Sequence, residues 1–227
     1  MKSLLLLHGA IGSAEQMQPL ADELNKQFDV HTFNFSGHGG LSTDVDFSIE
    51  QFAADLENYI LENNLHPVNV LGYSMGGYVA LFLAAKQPQL FSSIMTHGTK
   101  FKWTPEIAEK ESKMLNAEKI EEKIPAFANA LKQRHHPADW KIVLEKTATM
   151  MKKMGDTPPL SDDLLLKLNI PVRISIGDRD EMVTLEETSH VYKTLPNASM
   201  QVLPNTKHPV EKINPALIVK ASLEFFQ

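Results

Sequence analysis

Short apolar runs alternate with helix-length amphipathic segments along most of this 227-residue chain. Six such runs predict β-strands, at residues 4–7, 30–35, 68–71, 93–96, 172–176 and 200–203. The segments between them predict helices, at residues 14–27, 49–63, 77–86, 183–194 and 213–225. Strands that alternate with helices favour right-handed crossovers and a parallel sheet that is covered on both faces. We therefore predict an α/β fold with a mostly parallel sheet of about six strands.

The alternation is interrupted between about Lys100 and Leu160, where no strand-like run occurs. Apolar side chains recur there at roughly helical spacing, which predicts a helical insertion at residues 100–160 within a core formed by residues 1–99 and 161–227. The insertion has a net charge of +3 and the rest of the chain a net charge of −9. A weakly basic insertion could favour an anionic substrate, but the solvated faces of surface helices commonly carry such charges.

A Gly-x-Ser-x-Gly pattern, Gly72 to Gly76 with Ser74 at its centre, lies between a predicted strand and a predicted helix. A sharp turn in that position exposes a serine Oγ above the edge of the sheet, and the small glycines allow the chain to bend so tightly. A serine hydroxyl is a weak nucleophile until a base activates it. The pattern therefore predicts that Ser74 is a nucleophile if the chain also provides a base and an acid.

The base is sought among nine histidines. Chemistry in open α/β sheets gathers at the carboxyl ends of the strands, and only His8, His38, His97 and His208 follow predicted strands there. A fold with this type of turn orders its triad as serine, acid, histidine. Only His208 lies after both Ser74 and a plausible acid, so we predict that His208 is the base. A loop histidine can also be a solvated side chain without a catalytic role.

Two carboxylates compete for the role of the acid, because Asp178 and Asp180 both follow the strand that precedes His208. Asp178 lies one residue from the strand end beside Gly177, a position typical of an aspartate that binds its own backbone in a turn. Asp180 lies further along the loop and can reach toward the imidazole. We predict Asp180 as the acid, with Asp178 as the alternative.

Backbone N–H groups are expected to stabilise the oxyanion that forms when the serine attacks. One is the N–H of Met75, the residue after the nucleophile, and the other comes from the loop after the first strand. That loop, residues 8–13, contains two glycines that allow a close backbone approach. We predict Ala10 as the second donor.

Several classes of function are disfavoured by composition. The chain has no cysteine, which excludes disulfides and a cysteine nucleophile. Its histidines lack clustered ligand spacing and its glycine-rich turns lack a phosphate-loop pattern, so we expect no metal and no organic cofactor. A formal charge of −6 without a basic stripe argues against nucleic acid as a partner. The leading apolar run is too short for a membrane span or a signal peptide, so we expect a cytoplasmic protein of undetermined oligomeric state.

Taken together, these motifs resemble the α/β-hydrolase superfamily. His8-Gly9-Ala10, Gly37-His38-Gly39, Gly72 to Gly77, Gly177-Asp178-Arg179-Asp180 and His208 occur in the order typical of that family. The resemblance implies a triad of Ser74, Asp180 and His208, an oxyanion hole formed by Ala10 and Met75, and a cap formed by residues 100–160. It also implies a sheet that lacks the two strands with which the family usually begins.

One turn departs from the family pattern. Where relatives often carry aspartate and then proline or arginine before the Gly-His-Gly turn, this chain has Asn34 and Ser36. We therefore interpret the turn as structural and His38 as a packing or loop residue rather than a chemical one.

The leading prediction is a serine hydrolase that cleaves a small carboxylic ester or thioester through an acyl-enzyme on Ser74. The resemblance also allows carbon–carbon bond hydrolysis or elimination, as in the menaquinone-pathway synthase. Polyanionic substrates favour arginine forks, and only one of the three arginines, Arg134, lies in the insertion, so this alternative ranks second. A third alternative is a ligand-binding homologue without turnover, against which the intact triad pattern argues.

Overall fold

A computed structural model describes residues 1–226 and confirms the α/β architecture. Its sheet has the strand order β2-β1-β3-β4-β5-β6, and every neighbouring pair is parallel, so the sheet is wholly rather than mostly parallel. The strands are β1 (Ser3–Leu7), β2 (Asp29–Thr32), β3 (Val68–Tyr73), β4 (Phe91–His97), β5 (Val172–Gly177) and β6 (Ala198–Leu203).

Ten α-helices are found in residues 1–226, and the first follows a short 3₁₀ turn (Ala14–Met17). No helix of this region is both long enough and apolar enough to cross a membrane. The helices are α1 (Gln18–Leu24), α2 (Ile49–Glu62), α3 (Met75–Lys86), α4 (Pro105–Lys113), α5 (Ala117–Lys123), α6 (Pro125–His135), α7 (Trp140–Asp156), α8 (Asp162–Leu165), α9 (Leu185–Thr194) and α10 (Pro215–Phe226).

The two faces of the sheet pack against different helices. Successive side chains of a strand point to opposite faces, and β1 illustrates this: Leu5 and Leu7 join the cluster that contains α2, α3 and α9, whereas Leu4 and Leu6 join the cluster that contains α1 and α10. All four leucines are fully buried. The continuous apolar run therefore reflects a strand that is covered on both sides.

Several element boundaries differ from the sequence-based expectation. Strand β2 ends at Thr32 rather than at residue 35, because its partner β1 ends one residue after the last pair, Leu6 with Thr32, and no strand continues the ladder. Helix α3 begins at Met75 rather than at residue 77, and β3 extends to Tyr73. Ser74 is therefore the only residue between strand and helix.

Between β4 and β5 the described chain forms helices only, α4 to α8, which we call the inserted helices. The last of them lies at residues 162–165, just beyond the predicted end of the insertion. Helices α5, α6 and α7 share a small apolar cluster of their own, formed by Ile120, Ala128, Leu131, Trp140 and Leu144. The division of the chain into a core and a cap remains a prediction.

Candidate active site

Ser74 occupies a strained turn at the carboxyl edge of the sheet. Its φ of +50° and ψ of −118° are unusual for a residue with a side chain. The turn is held by two hydrogen bonds: the Ser74 N–H donates to the carbonyl of His97 at 2.9 Å, and the hydroxyl of Thr99 donates to the Ser74 carbonyl at 2.9 Å. Bonds from neighbouring β4 and its loop therefore stabilise the conformation that exposes the serine.

The glycines on either side of Ser74 are required by close contacts. A Cβ atom at Gly76 would lie 2.6 Å from the Cβ of Leu7, and a Cβ at Gly72 would lie 2.5 Å from the Cα of Gly77. Non-bonded carbon atoms do not approach each other this closely, so either substitution would displace α3 from the sheet. The Gly-x-Ser-x-Gly pattern thus arises from the packing of one helix start against two strands.

The imidazole of His208 faces Ser74 from the loop after β6. The distance between the serine Oγ and Nε2 of His208 is 3.4 Å, which is long for an O–H···N hydrogen bond. His208 itself is buried, with 8% of its surface exposed.

Asp180 binds the opposite nitrogen of the same imidazole. Its Oδ2 lies 2.8 Å from Nδ1 of His208, and its Oδ1 accepts hydrogen bonds from the N–H groups of Met182 and Val183, each at 2.9 Å. Burial by itself would raise the pKa of Asp180, but the hydrogen bond and charge of His208 and the two backbone donors lower it below its ordinary value. The ionised carboxylate therefore keeps the Nδ1 proton in place and leaves Nε2 free to accept a proton from Ser74.

Asp178 has a different role from Asp180. Its Oδ1 accepts a hydrogen bond from the N–H of Thr206 at 3.1 Å, and the N–H of Arg179 donates to the Thr206 carbonyl at 3.0 Å. Of the two competing carboxylates, only Asp180 contacts the imidazole. Asp178 instead fastens the loop after β5 to the loop that carries His208.

Tyr73 supports His208 in a way that the sequence analysis missed. Its hydroxyl donates to the backbone carbonyl of His208 at 2.8 Å, and the two ring centroids are 5.6 Å apart. Burial raises the pKa of Tyr73 above its ordinary value, so the hydroxyl remains a donor. The only signal in the sequence was its position next to Ser74.

His8 organises the predicted oxyanion loop. Its Nε2 accepts a hydrogen bond from the N–H of Phe35 at 3.3 Å, so the ring proton is on Nδ1, which donates to the Gly9 carbonyl at 2.8 Å. The Gly9 carbonyl and the Ala10 N–H belong to one planar peptide unit and point in opposite directions. Burial lowers the pKa of His8 to about 4, so it remains neutral near pH 7. This candidate histidine is thus a support of the loop rather than a partner of Ser74.

The imidazole rings of the other two histidines at strand ends do not contact the Ser74 hydroxyl either. His38 is fully buried, stacks on Phe47 at 5.1 Å and donates through Nδ1 to the Ser36 carbonyl, as expected for a packing residue. His97 donates through Nδ1 to the hydroxyl of Ser175 at 3.0 Å, and burial lowers its pKa to about 4.

A cavity of about 270 Å³ opens beside Ser74 and is bounded by the sheet edge and the inserted helices. Ala10 and Met75, the predicted oxyanion donors, line it together with Ser74 and His208. Its apolar wall includes Trp103, Leu115, Phe127, Met150, Met151 and Met154. Trp140, the second tryptophan of the insertion, packs instead within the small cluster of α5 to α7.

Four charged side chains also line this cavity, and the sequence analysis did not place them there: Lys100, Glu111, Arg134 and Glu211. Each is paired. Lys100 donates to the Met182 carbonyl at 2.7 Å and lies 3.6 Å from Glu111, and Arg134 lies 3.1 Å from Glu211. Within residues 1–226, no group of three or more histidine or carboxylate side chains is arranged to hold a metal ion.

Several known proteins are similar to this chain. The putative 2-succinyl-6-hydroxy-2,4-cyclohexadiene-1-carboxylate synthase of Bacillus subtilis is 23% identical over 99% of this chain and 90% of that protein. The pimeloyl-(acyl-carrier protein) methyl ester esterase of Neisseria meningitidis is 24% identical over 91% of this chain and 86% of that protein. Ethanol acetyltransferase 1 of Hanseniaspora uvarum is 30% identical, but this match spans only 40% of the chain and 28% of the relative.

Solved structures share the fold. A putative lipase from Acinetobacter baumannii superimposes with a TM-score of 0.84 at 21% identity, over 99% of this chain and 83% of that one. A thermophilic esterase from Thermogutta terrifontis superimposes with a TM-score of 0.80 at 22% identity, over 100% of this chain and 89% of that one. In addition, a family model described as the alpha/beta hydrolase fold matches residues 2–138, more than half of the sequence. The chain therefore belongs to the alpha/beta hydrolase fold family.

Proposed function

We propose that this protein is a serine hydrolase that cleaves a small carboxylic ester or thioester through an acyl-enzyme on Ser74. The observation that supports this proposal most strongly is one continuous set of contacts. It runs from the Ser74 hydroxyl across 3.4 Å to Nε2 of His208, and from Nδ1 of His208 across 2.8 Å to Asp180.

In the first step, His208 Nε2 takes the hydroxyl proton while Ser74 Oγ attacks the carbonyl carbon of the substrate. The negative charge that develops on the carbonyl oxygen is stabilised by the N–H groups of Ala10 and Met75. Asp180 stays ionised and stabilises the imidazolium that has formed, without taking its proton.

In the second step, the tetrahedral intermediate collapses as the imidazolium of His208 donates its proton to the departing alcohol or thiol. The acyl group is then bound to Ser74 as an ester. Water, activated by the same imidazole, attacks this ester, and a second collapse releases the carboxylic acid and restores the serine.

The substrate class follows from the cavity. Its volume of about 270 Å³ suits a small acyl group, and its wall of methionine and aromatic side chains suits an apolar one. We propose that the inserted helices act as a cap, because Phe127 of α6 and Met150, Met151 and Met154 of α7 form much of that wall.

Carbon–carbon bond hydrolysis or elimination, as in a menaquinone-pathway synthase, is a second candidate. The similarity to the Bacillus subtilis synthase over nearly the whole chain favours it, as does the cationic Arg134 in the cavity wall. Against it, both Nη atoms of Arg134 already have protein partners, the Ile11 carbonyl and Glu211. We therefore rank it below ester cleavage. A ligand-binding homologue without turnover is the third candidate.

The proposal is tested by labelling the wild-type protein, Ser74→Ala and Ser42→Ala with a fluorophosphonate probe and then assaying p-nitrophenyl esters of graded chain length. Ser42 is exposed and lies outside the cavity, so this variant is the matched control. We expect labelling and ester turnover in the wild type and in Ser42→Ala, and neither in Ser74→Ala.

The other candidates give different results in the same assays. Turnover of a dicarboxylate without turnover of any ester would favour the second candidate. Labelling of Ser74 without steady-state release of product would favour the ligand-binding homologue, and labelling that persists in Ser74→Ala would show that the nucleophile is misassigned.

A further inference from the structure

Arg134 connects the inserted helices with two loops of the proposed catalytic centre. It lies in the last turn of α6, and only 12% of its side chain is exposed. Its Nη1 donates to the Ile11 carbonyl at 3.0 Å, and its Nη2 donates to Glu211 at 3.1 Å. Ile11 follows Ala10 in the loop after β1, and Glu211 lies three residues after His208. One guanidinium therefore contacts both the loop of the proposed oxyanion donor and the loop of the proposed base.

The first of these contacts falls on a strained residue. Ile11 has a φ of +53°, a left-handed conformation that is costly for a β-branched side chain and persists only where the surroundings hold it. Its carbonyl accepts a second hydrogen bond from α6, through Nε2 of His135 at 3.1 Å. The N–H of Gly39 donates to Nδ1 of His135, which leaves the ring proton on Nε2. Two consecutive residues of α6 thus hold the Ile11–Gly12 peptide, in the same short loop as Ala10.

The second contact connects the loop of His208 back to the segment after β1. The Glu211 carboxylate also accepts a hydrogen bond from the side-chain amide of Gln16, and the Oε1 of Gln16 accepts one from the N–H of Ser13 at 3.1 Å. Because 55% of the Glu211 side chain is exposed, its charge attraction to Arg134 is screened by water. The contribution of the pair is therefore mainly geometric, since it fixes the distance between the two loops.

Small displacements of these loops matter for the proposed reaction. The Ser74 hydroxyl is already 3.4 Å from His208, and a further shift would delay proton transfer. A misplacement of about 1 Å can lower a rate by about 10²-fold, and the loss of one oxyanion donor by about 10²–10³-fold. A side chain that sets both positions would control the chemical step without touching the reacting atoms.

We propose that Arg134 is a positioning residue that holds the Ala10 amide and the His208 imidazole at the correct distance from Ser74. Catalysis then depends on the packing of α6 against the two loops. This inference rests on the proposed serine hydrolase function. Lysine does not replace arginine here, because one ammonium group on a flexible chain does not reproduce the planar fork that binds two separate acceptors.

The test compares Arg134→Gln, Arg134→Lys, Glu211→Ala and the double variant Arg134→Gln/Glu211→Ala with the wild type. Lys132→Gln is the matched control, because Lys132 is an exposed cation on the same helix and does not line the cavity. The substrate is the neutral ester p-nitrophenyl butyrate, which offers no carboxylate for Arg134 to bind. Thermal unfolding of each variant verifies that it is folded.

For Arg134→Gln and Arg134→Lys we expect kcat to fall about 10- to 100-fold with KM changed by less than about threefold. Glu211→Ala should show a smaller fall. The loss in the double variant should be smaller than the product of the two single losses, because the residues act through one network. Lys132→Gln should retain wild-type kcat.

Hydrogen exchange of the same proteins gives a readout that does not depend on turnover. Arg134→Gln should increase amide exchange in residues 9–13 and in residues 207–212, while exchange in β3 and β4 stays unchanged. Unchanged exchange in either loop would overturn the inference whatever the substrate proves to be.

The kinetic outcomes separate this inference from the proposed function. A rise in KM at constant kcat would make Arg134 a substrate-binding residue and overturn the positioning role. Wild-type kcat in Arg134→Gln, together with normal fluorophosphonate labelling of Ser74, would overturn the inference alone. A wild-type protein whose Ser74 is neither labelled nor needed for turnover would overturn the proposed function and the inference with it.

Discussion

The edge of the sheet and the inserted helices meet at the same cavity but present their side chains in different ways. At the edge, backbone topology determines position: Ser74 follows β3, Asp180 follows β5 and His208 follows β6. In the inserted helices, position depends on how helices pack, and Arg134 or Met151 reaches the cavity only because α6 and α7 dock as they do. The edge is therefore expected to determine the chemical step, and the inserted helices to determine its efficiency and selectivity.

The largest effect is expected at the edge of the sheet. Replacement of Ser74 or His208 by alanine should lower kcat by about 10⁴- to 10⁶-fold, and the double variant should lose little more, because members of a triad act as one unit. Steady-state kinetics with a p-nitrophenyl ester measures this. Losses that multiply in the double variant would indicate that the two side chains act independently.

Substitutions of the two neighbouring aspartates, Asp180 and Asp178, should differ strongly in their effect on kcat. Asp180→Asn should lower kcat by about 10⁴-fold, because an amide no longer holds the Nδ1 proton of His208 or stabilises the imidazolium. Asp178→Asn keeps an oxygen that accepts from the Thr206 N–H and removes only a charge that lies 4.0 Å from the exposed Arg179, so it should lower kcat by less than about 10-fold. Equal effects of the two substitutions on kcat would mean that the acid is misassigned.

Stability should depend on pH through buried histidines on both sides of the cavity. Burial lowers the pKa to about 4 for His8 and His97 at the sheet edge and for His135 in α6. Between about pH 6.5 and pH 4 the unfolded chain binds protons that the folded chain excludes, so stability is fully present above pH 6.5 and falls as the pH decreases. The loss should approach roughly 3 kcal/mol per histidine at pH 4.

Urea unfolding at pH 7, 5.5 and 4.5 checks this dependence. His135→Gln should reduce the fall in unfolding free energy, whereas His190→Asn, which alters an exposed histidine, should not. A free energy of unfolding that stays constant from pH 7 to pH 4.5 would contradict the assignment of these rings as buried and neutral.

Tyr73→Phe should have a moderate effect. It removes the hydroxyl that donates to the His208 carbonyl, so we expect a loss of about 1 kcal/mol of stability and a fall in kcat of up to about 10-fold. Tyr59→Phe is the matched control, because its hydroxyl bonds a carbonyl of β2 away from the cavity. If Tyr73→Phe and Tyr59→Phe have the same kcat, the Tyr73 hydroxyl does not help to position His208.

The smallest effect is expected in the inserted helices. Met151→Ala enlarges the cavity. One methylene in an enclosed apolar pocket is worth roughly 10-fold or more in selectivity, but Met151 is only partly buried, so we expect a smaller, few-fold shift of kcat/KM toward longer acyl chains. Met114→Ala, at an exposed methionine outside the cavity, should leave the chain-length profile unchanged. A loss of kcat for all chain lengths in Met151→Ala would contradict the assignment of selectivity to this wall.

Where chain order and strand ends determine position, the sequence predicted which side chains meet, and the catalytic roles of these side chains remain predictions. Ser74, Asp180 and His208 were each identified as residues that follow a strand, and the parallel sheet brings the three loops to one edge. Asp180 contacts the imidazole as predicted, but the reason given for preferring it over Asp178 is wrong. Asp178 accepts its hydrogen bond from Thr206 on another loop, and it is Asp180 that also accepts from nearby backbone, the N–H groups of Met182 and Val183.

Contacts between side chains that are far apart along the chain were not predicted from the sequence. Arg134 was identified only as the single arginine of the insertion, and no local pattern indicates that it spans from α6 to Ile11 and Glu211. The hydrogen bond from Tyr73 to the His208 carbonyl joins residues 135 positions apart. Such contacts depend on tertiary packing, which periodicity and turn signals do not encode.

The most direct test of the account is a search for the covalent intermediate. The protein is mixed with p-nitrophenyl acetate, quenched at times from milliseconds to seconds, digested and analysed by mass spectrometry. We predict an acetyl group on the peptide that contains Ser74, formed and lost at rates that account for turnover, and absent in Ser74→Ala. Steady turnover without an acetylated Ser74, or unchanged turnover in Ser74→Ala, would contradict the central claim that this serine is the nucleophile.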